Sequence, residues 1–77
     1  MIETKLQDRS AQRWLSQVFS SRAAAAGGVV RRKVTAVDRI LGRKAFLAEM
    51  QRRGFTVVEN AGQFVIFCNC EPVRRVC

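Results

Sequence analysis

Apolar residues in the first third of the chain recur at the spacing of an α-helix. From Ala11 to Phe19 they fall along one side of such a helix, and glutamine, arginine and serine fill the other side. The alanines of residues 23–26 can prolong the helix to Gly27, a residue type that commonly ends helices. The pattern predicts a first helix whose weak point is the pair Ser20 and Ser21.

The middle third begins as a strand and continues as a helix. Residues 29–34 have β-branched side chains on both sides of a charged centre, which favours an edge strand with one solvent-exposed face. Residues 35–38 have the form of a capping box, so we expect a short helical turn over residues 37–41. After Gly42, residues 43–53 predict a second helix with four apolar side chains buried, Ala45, Phe46, Leu47 and Met50. Gly54 and Phe55 predict a Schellman ending for this helix.

The last third predicts a β-hairpin. Residues 55–59 and 63–69 are rich in strand-forming side chains, and residues 60–62 form a three-residue link that ends in glycine. In the second strand Phe64, Ile66 and Cys68 share one face, while Val65 and Phe67 share the other. Helices can cover one of these apolar faces, and a second subunit can cover the other.

These elements predict one small α+β domain over residues 1–77. Their order is α-β-α-β-β, with a three-stranded antiparallel or mixed sheet and helices packed on one face. Residues 70–77 form a tail, flexible or with a short strand after Pro72. A chain of 77 residues with 48% hydrophobic content folds around a small core, so we expect a homodimer to stabilise it.

Composition limits the compartment and the cofactors. The start of the chain has no apolar signal core, and no apolar run approaches the roughly 20 residues needed to span a bilayer. The three cysteines lie within the last ten residues, a pattern that predicts neither a disulfide scaffold nor a four-ligand zinc site. We therefore expect a cytoplasmic protein without a metal, another cofactor or a membrane partner.

Charge is the strongest indication of function. The chain has 14 basic and 6 acidic residues and a net charge of +8, and 11 of the basic residues are arginine. Guanidinium groups stay charged and bind phosphate oxygens in pairs, so this excess favours a polyanionic partner. The candidate phosphate contacts lie in the middle third, and they are Arg31, Arg32, Lys33, Arg43, Lys44, Arg52 and Arg53. The alternative is that these charges only keep a small hydrophobic domain soluble.

Residues 46–68 carry a partial resemblance to a known family. Gly54 and Phe55, followed by the run of Gly62, Gln63 and Phe64, resemble the small HicA-type toxins, whose fold is similar to double-stranded RNA-binding domains. Those toxins cleave RNA with a histidine, which in this chain would stand at Phe64. Because this chain has no histidine, the resemblance implies RNA binding without cleavage.

The chain as a whole also resembles short bacterial proteins that carry the label phosphoribosylanthranilate isomerase. That enzyme is a β/α barrel, which needs upwards of roughly 200 residues, so its activity is not expected here. General acid or base chemistry also lacks its usual side chains, because histidine is absent and the six acids are scattered. We do not expect an enzyme.

Two functional hypotheses follow from these observations. The first is a small basic nucleic-acid-binding or regulatory protein, with RNA slightly favoured over DNA. The second is a homo-oligomeric interaction module that binds a protein partner through the sheet face around Val65 and Phe67, and whose charge only recruits acidic partners.

Overall fold

The computed structural model describes residues 9–77 and has an α+β architecture. Its elements follow the chain in the order α1 (Arg9–Phe19), α2 (Arg22–Ala25), β1 (Val29–Lys33), α3 (Val34–Ile40), α4 (Arg43–Arg53), β2 (Thr56–Asn60) and β3 (Gln63–Phe67). The expected alternation of helical and extended segments is confirmed, and so is the break near Gly42 in the second helical stretch, whereas the first helical stretch is also divided into two helices.

The first division falls at the serine pair. The Ser20 hydroxyl donates a hydrogen bond of 2.5 Å to the carbonyl of Ser16, and the Ser21 hydroxyl donates one of 2.7 Å to that of Val18. Ser21 also caps α2, since its side-chain oxygen accepts from the amide of Ala24 at 3.3 Å. The helix therefore does not continue unbroken to Gly27 but breaks at the predicted weak point, because these hydroxyls end α1 and start a new turn.

The three strands form one antiparallel sheet in the order β1-β3-β2. Strand β3 is central, and β1 lies at an edge, as its charged centre predicted. The β2–β3 pair is a hairpin, whereas β1 reaches β3 only after the two helices that follow it.

Helices cover one face of this sheet, as expected. Phe64 and Ile66 of β3 and Val30 of β1 point into a buried cluster with apolar residues of α1, α3 and α4. The aromatic centre of that cluster is Phe46, whose ring stacks on Phe64 with centroids 4.9 Å apart and meets Trp14 edge to face at 6.4 Å. These contacts fix α1 and α4 on the same side of the sheet.

The start of α3 corrects the expected capping box. Helix α3 begins at Val34, so Thr35 lies inside its first turn, and the residue at the cap is Lys33, which makes no side-chain cap hydrogen bond. The amide of Val34 instead donates to the carbonyl of Gly62 at 2.9 Å. This bond ties the chain to the hairpin where it turns from strand to helix.

Helix α4 ends as the sequence predicts but buries a different set of side chains. The amides of Gly54 and Phe55 donate to the carbonyls of Gln51 and Met50, the pair of bonds that defines a Schellman ending. Phe46 and Met50 are buried as expected, whereas Leu47 is 41% exposed. The inward face of the helix runs through the residues at positions 46, 49 and 50, so Glu49 takes the place predicted for leucine.

The hairpin link also differs from expectation. Asn60 pairs with Gln63 and belongs to β2, so the link is two residues, Ala61 and Gly62, both with positive φ. Two-residue links with positive φ at both positions match the twist of the strands they join. Residues 70–77 are exposed and contain no strand.

Candidate nucleic-acid interface

The face of the sheet opposite the helices carries the most unusual combination of side chains. Alternation along the strands places nine residues there. We call this surface the open face, and its residues are Val29, Arg31 and Lys33 of β1, Gln63, Val65 and Phe67 of β3, and Thr56, Val58 and Asn60 of β2.

The open face changes from apolar at one end of the strands to polar at the other. At one end Phe67 lies between Val29 and Thr56, and at the other end Gln63 lies between Lys33 and Asn60. In the middle row Val65 separates Arg31 from Val58. The face therefore combines a partly exposed aromatic ring, several valines and two cations, and none of its nine residues is acidic.

The two cations of the open face are available for a partner. Arg31 and Lys33 are exposed, and within residues 9–77 neither forms an ion pair. They alternate along one strand, which places their Cα atoms about 7 Å apart on the same side. That spacing is comparable to the separation of successive phosphates in a nucleic-acid strand.

Arg32 lies between Arg31 and Lys33 in the sequence, but its side chain points away from the open face and contacts the backbone of β1. Its guanidinium group folds back onto β1 and donates a hydrogen bond of 2.6 Å to the carbonyl of Arg31. The carbonyl of Gly28 accepts from the amide of Cys68, which directly follows β3, so the carbonyls at odd positions of β1 face away from β3. Arg32 thus covers part of an exposed sheet edge, where an unpaired carbonyl would invite another strand.

Helix α4 presents its basic residues on the opposite side of the molecule. Arg43 forms an ion pair with Glu59 at 3.3 Å, and its guanidinium carbon lies 5.1 Å from the centre of the Phe64 ring. Lys44, the next residue, is exposed. Both groups of the Arg43–Glu59 pair are about half exposed, so water weakens the attraction between them.

The last turn of α4 holds a buried carboxylate between two arginines. The Arg52 guanidinium donates to both oxygens of Glu49, at 3.0 and 2.5 Å, and Nε of Arg53 donates to Oε2 at 2.8 Å. Arg53 also lies over the Phe19 ring, 4.5 Å from its centre. The hydrogen bond from Arg52 is the main reason that the pKa of Glu49 falls below its ordinary value, although burial opposes the shift. The same bond raises the pKa of Arg52.

The seven predicted phosphate contacts are therefore divided between two surfaces. Arg31 and Lys33 lie on the open face, and Arg32 turns back at the sheet edge. Arg43, Lys44, Arg52 and Arg53 belong to the helix layer, where three of the four have carboxylate partners. The sequence treats these cations as one group, whereas the fold sets Arg31 and Lys33 apart on a face that carries no acidic residue.

Sequence reasoning predicted Val65 and Phe67 as an exposed pair but missed the other apolar residues of their face. Val29 and Val58 are 43% and 40% exposed and stand beside them on the neighbouring strands. The register brings these residues together, and the order β1-β3-β2 is not visible in the local sequence. The local signals are the alternation of residues along β1 and along β2.

The three cysteines differ in their exposure. Cys68 is buried under the sheet, and this burial raises the pKa of its thiol, while Cys70 and Cys77 are exposed. Among residues 9–77 no group of histidine, cysteine or acidic side chains is arranged to hold a metal ion.

The helices of residues 9–77 are all too short or too polar to cross a membrane. Comparison of the chain with protein-family models, with curated proteins and with solved structures found no match.

Proposed function

We propose that this chain is a nucleic-acid-binding protein that uses the open face, with Arg31 and Lys33 as its principal phosphate contacts. The observation that carries the proposal is the presence of two exposed, unpaired cations on a face without any acidic residue. Such cations release counterions when they meet phosphate, which favours binding.

The helix layer has a different role in this proposal. Arg52 and Arg53 stabilise the end of α4 through Glu49, so a phosphate would have to compete with a carboxylate already in place. Lys44 and the half-exposed Arg43 add to the positive field that attracts a polyanion from a distance. We propose a binding function without catalysis, since the chain has no histidine and its buried acid is engaged with two arginines.

Salt-dependent binding tests this proposal. Fluorescence anisotropy of a labelled 20-nucleotide RNA is followed at rising potassium chloride for the wild type and for the double variant Arg31→Gln, Lys33→Gln. We expect the double variant to bind more weakly and to lower the slope of log K against log salt by about 1.4 to 1.8, which corresponds to two phosphate contacts.

A matched control separates the open face from net charge. The double variant Arg13→Gln, Arg22→Gln removes the same two charges from exposed positions of α1 and α2, and it is expected to keep the wild-type slope. Equal loss in the two double variants would show that charge alone drives binding and would contradict the proposed site. A wild type that binds no nucleic acid in dilute buffer would remove the function altogether.

Self-association through the open face is the second candidate, favoured by the exposure of Val29 and Val58. Two copies stacked on this face would bring four cations together without any acid from the face itself, which is why we place it second. Light scattering of the wild type and of Phe67→Glu tests it. A dimer that the variant converts to monomer would support this candidate, and a monomer in both would exclude it.

A further inference from the structure

We propose that the nucleic acid bound by the open face is single-stranded, with one base stacked on Phe67 and the adjoining phosphates held by Arg31 and Lys33. This inference rests on the proposed function and names the form of its ligand.

The first argument is that the cations do not stand alone. Val65 lies directly beside Arg31 in the centre of the open face, and Phe67 and Val58 extend the apolar surface from it. A duplex offers a protein its phosphates, sugars and base edges, so it would leave this apolar surface without a matching contact. An unpaired base has an apolar face that can lie on the surface.

The second argument concerns the aromatic ring. Phe46 contacts both Trp14 and Phe64 on the core side of the sheet, and Phe19 contacts Phe55 on the helix side. Phe67 is left on the open face, partly exposed, with Val29 and Thr56 as its neighbours across the strands. An aromatic ring on an antiparallel sheet is a platform on which bases of any type can stack.

The third argument concerns the arrangement of the two cations and the aromatic ring along the strands. Arg31 and Lys33 follow one another along β1, and Phe67 lies on the adjacent strand at the end nearer to Arg31. A strand whose backbone follows β1 can place two phosphates on these cations while a neighbouring base turns inward over β3. The site then combines cations that bind the backbone with apolar side chains that bind the bases, which is the usual composition of single-strand sites.

Anisotropy with defined probes tests the inference. Three labelled probes are compared: a single-stranded RNA of 12 nucleotides, a single-stranded DNA of the same sequence, and a 12-base-pair RNA duplex. Each probe is titrated with the wild type and with Phe67→Leu. We expect the single strands to bind more tightly than the duplex, and Phe67→Leu to weaken single-strand binding about tenfold. The RNA and DNA arms show which sugar the site accepts.

The salt slope distinguishes lost stacking from lost structure. Leucine keeps an apolar side chain at position 67 and changes no charge, so the slope for Phe67→Leu should equal that of the wild type. A fall in both affinity and slope, or a changed circular dichroism spectrum, would mean that the face itself is damaged. The affinities of the wild type for the single strands and for the duplex need no variant, and their difference then remains the test of the inference.

The two proposals fail in different ways. A duplex bound as tightly as the single strands, with no effect of Phe67→Leu, would overturn the single-strand inference and leave nucleic-acid binding in place. Absence of binding to all three probes at low salt would overturn both proposals.

Discussion

At the scale of single residues, the most consequential side chain is that of Glu49, a residue type that usually lies on the protein surface. Glu49 is 6% exposed, because its carboxylate accepts hydrogen bonds from two arginines within one turn of α4. Buried charges are tolerated in proteins when they are paired in this way. The helical pattern of apolar residues predicted that Leu47 is buried. That pattern depends on hydrophobicity alone, so it does not show that arginines can neutralise the carboxylate of Glu49.

Replacing Glu49 should therefore destabilise the protein. Glu49→Gln removes the charge that holds Arg52 and Arg53, and we expect the free energy of unfolding at neutral pH to fall by about 1–3 kcal/mol. Glu59→Gln breaks the half-exposed pair with Arg43 and should cost less than about 1 kcal/mol. Urea unfolding followed by circular dichroism measures both variants.

The pH dependence of this difference has a defined sign. The pKa of Glu49 is lower in the folded protein than its ordinary value of 4.5, so its contribution is complete above that value. The contribution is lost as the pH falls through the lowered pKa. The difference in unfolding free energy between wild type and Glu49→Gln should then stay constant from neutral pH to about pH 4.5 and narrow as the pH falls further. A difference that stays constant down to about pH 2 would contradict the role of the ionised carboxylate.

At the scale of elements, the ending of α4 was more predictable than the start of α3. The Schellman ending at Gly54 depends on residues within a few positions of each other, so the local sequence specifies it. The start of α3 depends on a hydrogen bond from Val34 to Gly62, 28 positions away, and no local pattern can show it. The same reason explains why the sequence predicted the β2–β3 hairpin but not the order in which β1 joins it.

The hairpin link offers a substitution that should stabilise the fold. Ala61 has a φ of 52°, in the left-handed region that costs most residues on the order of 1 kcal/mol. Asparagine tolerates this region, and Asn-Gly is the preferred pair for such a link. Ala61→Asn should raise the free energy of unfolding by up to about 1 kcal/mol, and thermal unfolding should shift upward by several degrees.

A β-branched residue at the same position serves as the control. Ala61→Val places a stiff side chain in the left-handed region and should lower the midpoint of thermal unfolding. If the two variants shift the midpoint in the same direction, the positive φ at this position is not what limits the stability of the hairpin.

At the scale of the whole molecule, the fold separates charges that the sequence groups together. Eight of the fourteen basic residues lie between Arg31 and Arg53, yet the sheet divides them into two on the open face and others at its edge or in the helix layer. Acids accompany several of the helix-layer cations, and none lies on the open face. The sequence could predict a polyanionic partner, but the surface that meets it depends on strand order and register.

Nuclear magnetic resonance mapping tests this division most directly. A ¹⁵N- and methyl-labelled sample is titrated with the 12-nucleotide single-stranded RNA, and shift changes are followed for backbone amides and for the methyl groups of Val58 and Val65. The proposed site predicts the largest changes at Arg31, Lys33, Val65 and Phe67, with small changes at Lys44 and Arg52. Largest changes along α4, with an unaffected β3, would contradict binding by the open face.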